Sequence, residues 1–239
     1  MITRYLLLWL ESPLQSWGHD SKFGRRDTLD FPTKSGVLGL VCCAMGAGGK
    51  QRELLEKFAN LDMTVIAYSR AKQSSDGELK KQSREPLLRD FHMVGSGFDD
   101  QNPWEKLLIP KTSEGKKAVG GGAKMTYRYY LQDMAFAIVL QVPNDMVQTI
   151  SEALERPVWD IYLGRKSCVP TDFILRGQNI SKDDALEIAD GIAKGKVLIE
   201  DFRVLNGEHD GEVITLNDVP IQFGENKQYC DRRVTIINT

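Results

Sequence analysis

Histidine is scarce in this 239-residue chain: three occur, at positions 19, 92 and 209, and none stands at metal-ligand spacing from another histidine, a cysteine or a paired acid. That pattern argues against a metalloenzyme, and neither a metal nor any other cofactor is expected. Cysteine is nearly as rare, with four residues at 42, 43, 168 and 230 and no C-x-x-C pair, so neither a zinc ribbon nor a disulfide scaffold is indicated. Cys42 and Cys43 sit in an apolar stretch and read as small buried hydrophobes rather than reactive thiols. Long apolar runs are also missing. The stretch 5–10 stops at Glu11 and 36–47 is broken by glycines, both short of the roughly 18–20 residues of a membrane span. The N-terminus lacks the pattern of a signal peptide. No membrane partner is expected, and the expected compartment is the cytoplasm, with reduced thiols. Charge of one sign is not in excess: 31 Lys and Arg against 33 Asp and Glu give a formal net charge of −2, which disfavours a uniformly basic, polybasic binding mode. Catalytic signatures are absent as well. No G-x-S-x-G elbow occurs, and around Gly46 to Lys50 the chain has Ala44 and Gln51 where a phosphate loop needs Gly and Ser or Thr, so these glycines read as helix caps.

What is present is a 26.9 kDa chain with 41% hydrophobic residues, enough for one large domain or two small ones with a substantial core. The near-neutral total conceals opposed blocks. Residues 1–50 carry 6 basic and 4 acidic groups and 70–130 carry 12 and 8, whereas 131–175 carry 3 and 6 and 176–239 carry 8 and 12. The acidic excess of the last block is open to two readings, a face for a basic protein partner or a solubilising surface.

Hydrophobic patterning predicts a strand at 5–10 ended by Glu-Ser-Pro, a buried helix at 36–45, a short amphipathic helix at 52–61 and a β-branched strand at 63–68. Residues 70–124 are polar and glycine-punctuated, and a loop of that length in a compact domain is normally functional or disordered. Two strands at 127–133 and 135–142, turning at Gln132-Asp133, precede a helix at 144–154. The order β, α, β, insertion, β, β, α predicts an α+β, ferredoxin-like half with both helices on one sheet face. Downstream, strands are expected at 197–205, 212–216 and 232–237, with a helix at 181–193 capped by Ser181.

Three segments carry candidate chemistry. Gln15-Ser-Trp-Gly-His-Asp-Ser-Lys-Phe-Gly-Arg-Arg26 combines aromatics that stack on bases, glycines that allow close approach and cations for phosphate; the alternative is a solvated loop whose Trp17 and Phe23 cover the sheet edge. Pro32-Thr-Lys-Ser35 stands at a helix start, where free N–H groups and the dipole favour an anion. Leu163-Gly-Arg-Lys-Ser167 is a second glycine-basic turn in an otherwise acidic quarter.

Ser12-Pro-Leu-Gln-Ser-Trp-Gly18, Phe31-Pro-Thr-Lys-Ser-Gly-Val-Leu-Gly-Leu40, Arg89-Asp-Phe-His-Met-Val94 and Tyr162-Leu-Gly-Arg-Lys-Ser-Cys168 resemble, in order and spacing, the CasD family of type I-E CRISPR Cascade subunits within the RAMP superfamily. The likeness runs to about Gly177 and is weak beyond. It implies a modified ferredoxin-like (RRM/RAMP) domain over 1–155 with a long β-hairpin thumb at about 70–124, then a glycine-rich turn and β-rich region over 156–239. It further implies a non-catalytic subunit that caps the 5′ handle of the CRISPR RNA (crRNA), contacts the backbone subunit CasC and the large subunit CasA, and meets target DNA only through the complex, precursor processing belonging to CasE. On this resemblance the RNA-binding residues are Trp17, Lys22, Arg25, Arg26, Lys34, Ser35, Arg89, His92, Arg165, Lys166 and Ser167. Lys124, with Lys111, Lys116 and Lys117, is assigned to RNA or CasC contact on charge alone. The alternative is a metal-independent endoribonuclease of the type I-C kind, with His92 as general base beside Lys124 and a tyrosine among Tyr127, Tyr129 and Tyr130.

Overall fold

Alternation along the first strand decides the layering. The computed structural model describes residues 3–18, 21, 24–73, 78–94, 111–112, 114–116 and 124–239. In β1 (Thr3–Gln15) the side chains of Leu6, Leu8 and Leu10 join one hydrophobic cluster and those of Leu7 and Trp9 another, all fully buried. A strand apolar on both faces must lie inside a sheet covered on both sides, and β1 does.

The remaining elements are β2 (Arg25–Arg26), α1 (Lys34–Ala44), α2 (Arg52–Glu56), β3 (Met63–Gln73), β4 (Leu79–Lys81), β5 (Leu88–Val94), β6 (Lys124–Pro143), a 3₁₀ turn (Asn144–Met146), α3 (Val147–Glu155), β7 (Leu175–Ile180), α4 (Lys182–Gly195), β8 (Leu198–Asn206), β9 (Glu212–Gln222) and β10 (Gln228–Asn238). The main sheet runs β7-β1-β6-β3-β8-β10-β9, every neighbouring pair antiparallel. Helices α1 and α3 bury Val37, Leu38, Val41, Ile150 and Leu154 in the cluster on one face, as expected of the first-half helices. Helix α4 lays Ala185, Ala189 and Ala193, spaced four apart, against Leu7, Trp9 and Val139 on the other, and Ser181 and Asp184 form its capping box. The result is a mixed α and β architecture on an antiparallel sheet.

Two expected boundaries move, for one reason. β1 does not stop at Glu-Ser-Pro, and the two strands expected around Gln132-Asp133 are a single 20-residue strand, β6. The register sets Ser12 against Met134 and Leu14 against Gln132, so Pro13 faces Asp133. The proline has no N–H for the ladder, and Asp133 takes a left-handed φ of 49°. The irregularity is absorbed across the pair and both strands continue. Buried Gln15 completes the repair: its amide donates to the carbonyls of Leu10 (3.1 Å) and Met134 (2.7 Å) and its oxygen accepts from Trp17 Nε1 (3.1 Å). Helix α2 is shorter than expected, and β7, with its Gly177 and polar Gln178-Asn179, escapes the hydrophobic pattern altogether.

The C-terminal strands are tied to α1 through charge. Thr33 caps α1, its hydroxyl accepting from Gly36 N–H at 3.1 Å. The N–H of Lys34 donates to Asp218 Oδ2 on β9 (2.7 Å), and Asp218 is clamped by Arg232 Nε and Nη2 on β10 (2.7 and 2.9 Å). Lys34 is 2% exposed, and its ammonium donates to the carbonyls of Ala59 and Leu61 (3.0 and 2.7 Å). Burial, with Arg232 nearby, lowers its pKa from 10.5 to about 8 against the opposing pull of Asp218 and Asp62. Burial likewise pushes the Cys42 thiol up to about 11, which suits the inert role read from its surroundings. Among the described residues no helix is long and apolar enough to cross a membrane.

Candidate nucleic-acid interface

The first half of β6 leaves the main sheet and is flanked by two short partners. β5 pairs with it antiparallel, Arg89 facing Tyr129, Phe91 facing Tyr127 and Met93 facing Met125; β2 pairs parallel on its other edge, Arg25 facing Tyr127 and Arg26 facing Arg128. Directly opposed residues share a face and successive residues alternate. One face of this ribbon therefore carries Arg89, Phe91, Met93, Met125, Tyr127 and Tyr129. Phe91, Met93, Met125 and Tyr127 are all exposed. The rings of Phe91 and Tyr127 lie 5.4 Å apart, the Arg89 guanidinium is 5.6 Å from the Tyr127 ring centre and that of Arg25 is 4.9 Å from Tyr129. Arg25 is also paired with Asp27, Nε to Oδ1 at 2.9 Å, yet remains largely exposed. An exposed surface of aromatic faces with cations set over them is what single-stranded nucleic acid stacks and neutralises against.

At the ribbon's base stands the turn from Tyr162 to Cys168. Gly164 adopts φ +99°, and a Cβ there would sit 1.7 Å from Ser16 O; the close approach is locked by Ser16 N–H donating to Leu163 O at 3.1 Å. Arg165 then staples the turn to the ribbon. It donates to Tyr129 O (3.1 Å) and Arg26 O (2.9 Å) while its guanidinium lies 4.5 Å from the Tyr130 ring centre. Lys166 and Ser167 are exposed beside it. A groove of about 560 Å³ opens between this turn and α1, and Ser35, Arg165 and Lys166 line it.

Several expected site residues land elsewhere. Trp17 is 1% exposed, packed where a Cβ on Gly36 would lie 2.9 Å from its ring, so it offers no face to a base; covering the helix start is its role. Lys34 is buried on backbone carbonyls, and Asp218 already occupies the positive end of α1, which removes the anion site expected there. Arg165 commits two of its donors to carbonyls and holds the surface in place. Lys22 lies outside the described residues, as do His19, Phe23 and Lys117. Lys111, Lys116 and Lys124 are exposed, Lys116 pairing with Glu114 at 3.0 Å. His92 projects on the opposite ribbon face from Tyr127 and Tyr129, its Nε2 3.1 Å from Asp90 Oδ2.

That register also decides whether a cleavage trio exists. His92 pairs with Thr126 and Val94 with Lys124, so His92 and Lys124 share a face. Tyr127 and Tyr129 point the other way, and Tyr130, on the right face, is buried and about 13 Å along the strand. No tyrosine joins His92 and Lys124. Among the described residues no three His, Cys, Asp or Glu side chains gather as metal ligands would. Sequence reasoning missed the ribbon's apolar members, Phe91, Met93 and Met125; the period-two alternation of 89, 91, 93 against 125, 127, 129 was the available signal.

Several known proteins are similar to this chain. A family model described as CRISPR-associated protein (Cas_Cas5) matches residues 5–235. The CRISPR system Cascade subunit CasD of Escherichia coli (strain K12) is 31% identical over 178 residues, covering 72% of this chain and 70% of that protein. Among solved structures, a chain of a CRISPR RNA-guided surveillance complex aligns with TM-score 0.70 at 27% identity, over 98% of this chain and 90% of its own. A chain solved as a Cas protein aligns with TM-score 0.59 at 24% identity, over 98% and 94%, a likeness of fold.

Proposed function

The chain belongs to the CRISPR-associated Cas5 family, and on that premise we propose that it is a non-catalytic, crRNA-binding subunit of a Cascade-type surveillance complex, working in the cytoplasm. In this reading residues 1–155 form a ferredoxin-like RAMP domain whose segment 70–124 is the thumb, and 156–239 add the glycine-rich turn and a β-rich region. The subunit caps the 5′ handle of the crRNA and contacts the backbone subunit CasC and the large subunit CasA, reaching target DNA only through the assembly. The observation that carries the reading is the ribbon face with Arg25 and Arg89 set over Tyr129 and Tyr127. Cations there neutralise phosphates, and exposed rings stack splayed bases at roughly 1–3 kcal/mol each.

Charge reversal tests it. Arg25→Glu and Arg89→Glu are expected to weaken binding of the repeat-derived handle by the purified chain roughly tenfold each, and to reduce the dependence of log affinity on log salt by about one contact. Both side chains are exposed, so thermal stability should hold. Unchanged affinity in both variants removes the ribbon from the RNA surface. The endoribonuclease reading is disfavoured by the split of His92 and Lys124 from every exposed tyrosine of the strand.

A further inference from the structure

Strand β5 is held by little of its own. None of its side chains from Leu88 to Met93 is buried, so packing does not place it, and what reaches it from the body of the protein is the arm 82–87 that leaves β4. That arm is anchored at a β-bulge. β8 pairs Phe202 with Ala67 and Glu200 with Tyr68 of β3, which leaves Asp201 as the extra residue, and a bulge re-aims the side chain it carries. The Asp201 carboxylate receives one cation on each oxygen, Lys81 Nζ at 2.9 Å from Oδ1 and Arg84 Nε at 2.6 Å from Oδ2. From the β10 side, Thr239 N–H donates to Asp201 O at 3.2 Å and holds the bulge in place.

Arg84 also stacks. Its guanidinium lies 4.5 Å from the Phe202 ring centre, and Phe202 is a core side chain set edge-on to Phe31 at 6.2 Å. The Nε contact is an ion pair outside hydrogen-bond geometry, and Nη2 is buried without an acceptor, so among the described residues Asp201 and Phe202 are what hold this side chain. Burial alone would raise the Asp201 carboxyl; Lys81 and Arg84 outweigh it and hold the group below the usual carboxylate range. Beyond Arg84 the arm meets β6, where Gln132 Nε2 donates to Pro86 O at 2.7 Å, and β5 then begins with Leu88 opposite Tyr130.

We infer that Asp201 is a positioning residue for the ribbon: by holding Lys81 and Arg84 it fixes the arm, and so sets Arg89 over Tyr127. The guanidinium of Arg89 is 5.6 Å from that ring centre, close to the limit at which a cation and an aromatic face attract, so a small drift of the arm ends the contact. Asp201 lies in the acidic last quarter of the chain, and its charge is spent inside the molecule on the far end of the thumb arm. This role rests on the reading of the ribbon as an RNA surface and gives the C-terminal sheet a part in shaping it.

The test uses the full chain and the repeat-derived handle RNA. Removing a carboxylate from a protein that binds a polyanion should, by charge alone, tighten binding. Asp201→Asn is instead expected to weaken it severalfold, because Arg89 is misplaced, and to weaken it no further once Arg89→Ala has removed the group through which Asp201 acts. Hydrogen exchange should quicken in peptides covering 79–94 and stay unchanged in those covering 135–142, with Arg84→Gln, which leaves β8 intact, loosening the same 79–94 peptides. Affinity at or above wild type in Asp201→Asn, or an equal loss in both the native and the Arg89→Ala backgrounds, overturns the positioning role. Wild-type affinity in Arg89→Ala by itself overturns the ribbon as an RNA surface and the RNA consequence with it, while faster exchange at 79–94 in Asp201→Asn would leave the anchoring of the arm standing.

Discussion

Gly164→Ala is expected to unfold the junction between the loop and the ribbon, at a cost on the order of 4 kcal/mol. The methyl group would sit 1.7 Å from Ser16 O, and φ is +99°, so the substitution meets both a backbone clash that no rotamer relieves and a conformation L-residues avoid. Ser16 cannot simply retreat, because its N–H is bonded to Leu163 O and the following Trp17 is locked in the core. A chain of this length loses roughly 2–4 °C in thermal midpoint per kcal/mol, so a drop near 10 °C should be seen by circular dichroism. RNA affinity should fall with it, since Arg165, displaced by the same movement, is what fixes Tyr129 and Arg26. A midpoint within a degree of wild type would mean that the turn tolerates a different path.

Asp218→Ala is expected to cost a further large amount, about 3–5 kcal/mol, because removing one partner leaves a buried charge uncompensated. That charge is Arg232, whose side chain is 8% exposed, while the Lys34 ammonium keeps its two carbonyls and the pull of Asp62. The helix start also loses the acceptor for Lys34 N–H. Pairing the change with Arg232→Met should recover much of the loss, since the orphaned guanidinium is then gone. Denaturant midpoints of the two single variants and the double variant measure the coupling, and strictly additive losses would contradict the account of a shared buried network.

The same network explains where sequence reading succeeded and failed. Strand β1, helix α1 and the capped helix α4 were legible because their apolar spacing and caps are local properties. The continuity of β6 was not, because Pro13 and Asp133 are harmless only when set opposite each other, a fact of register. The basic residues of the motifs were found, but their division was hidden. Lys34 and Arg165 are spent on carbonyls inside the molecule, Trp17 is buried, and among the described residues Arg25, Arg26, Arg89, Lys166 and their exposed neighbours remain to face a ligand. Chain order alone places His92, Lys124 and three tyrosines together; strand parity turns Tyr127 and Tyr129 away from them, and burial and strand distance set Tyr130 apart. Asp218 shows the limit most plainly, since nothing near it in sequence says that it caps a helix 184 residues away.

The most direct test of binding without cleavage is to incubate the purified chain with labelled precursor CRISPR RNA in EDTA and follow both complex formation and strand length. Retained, full-length RNA in the shifted complex, with the shift lost in the Arg25→Glu, Arg89→Glu double variant, is the result predicted. Specific cutting that disappears in His92→Ala would contradict it.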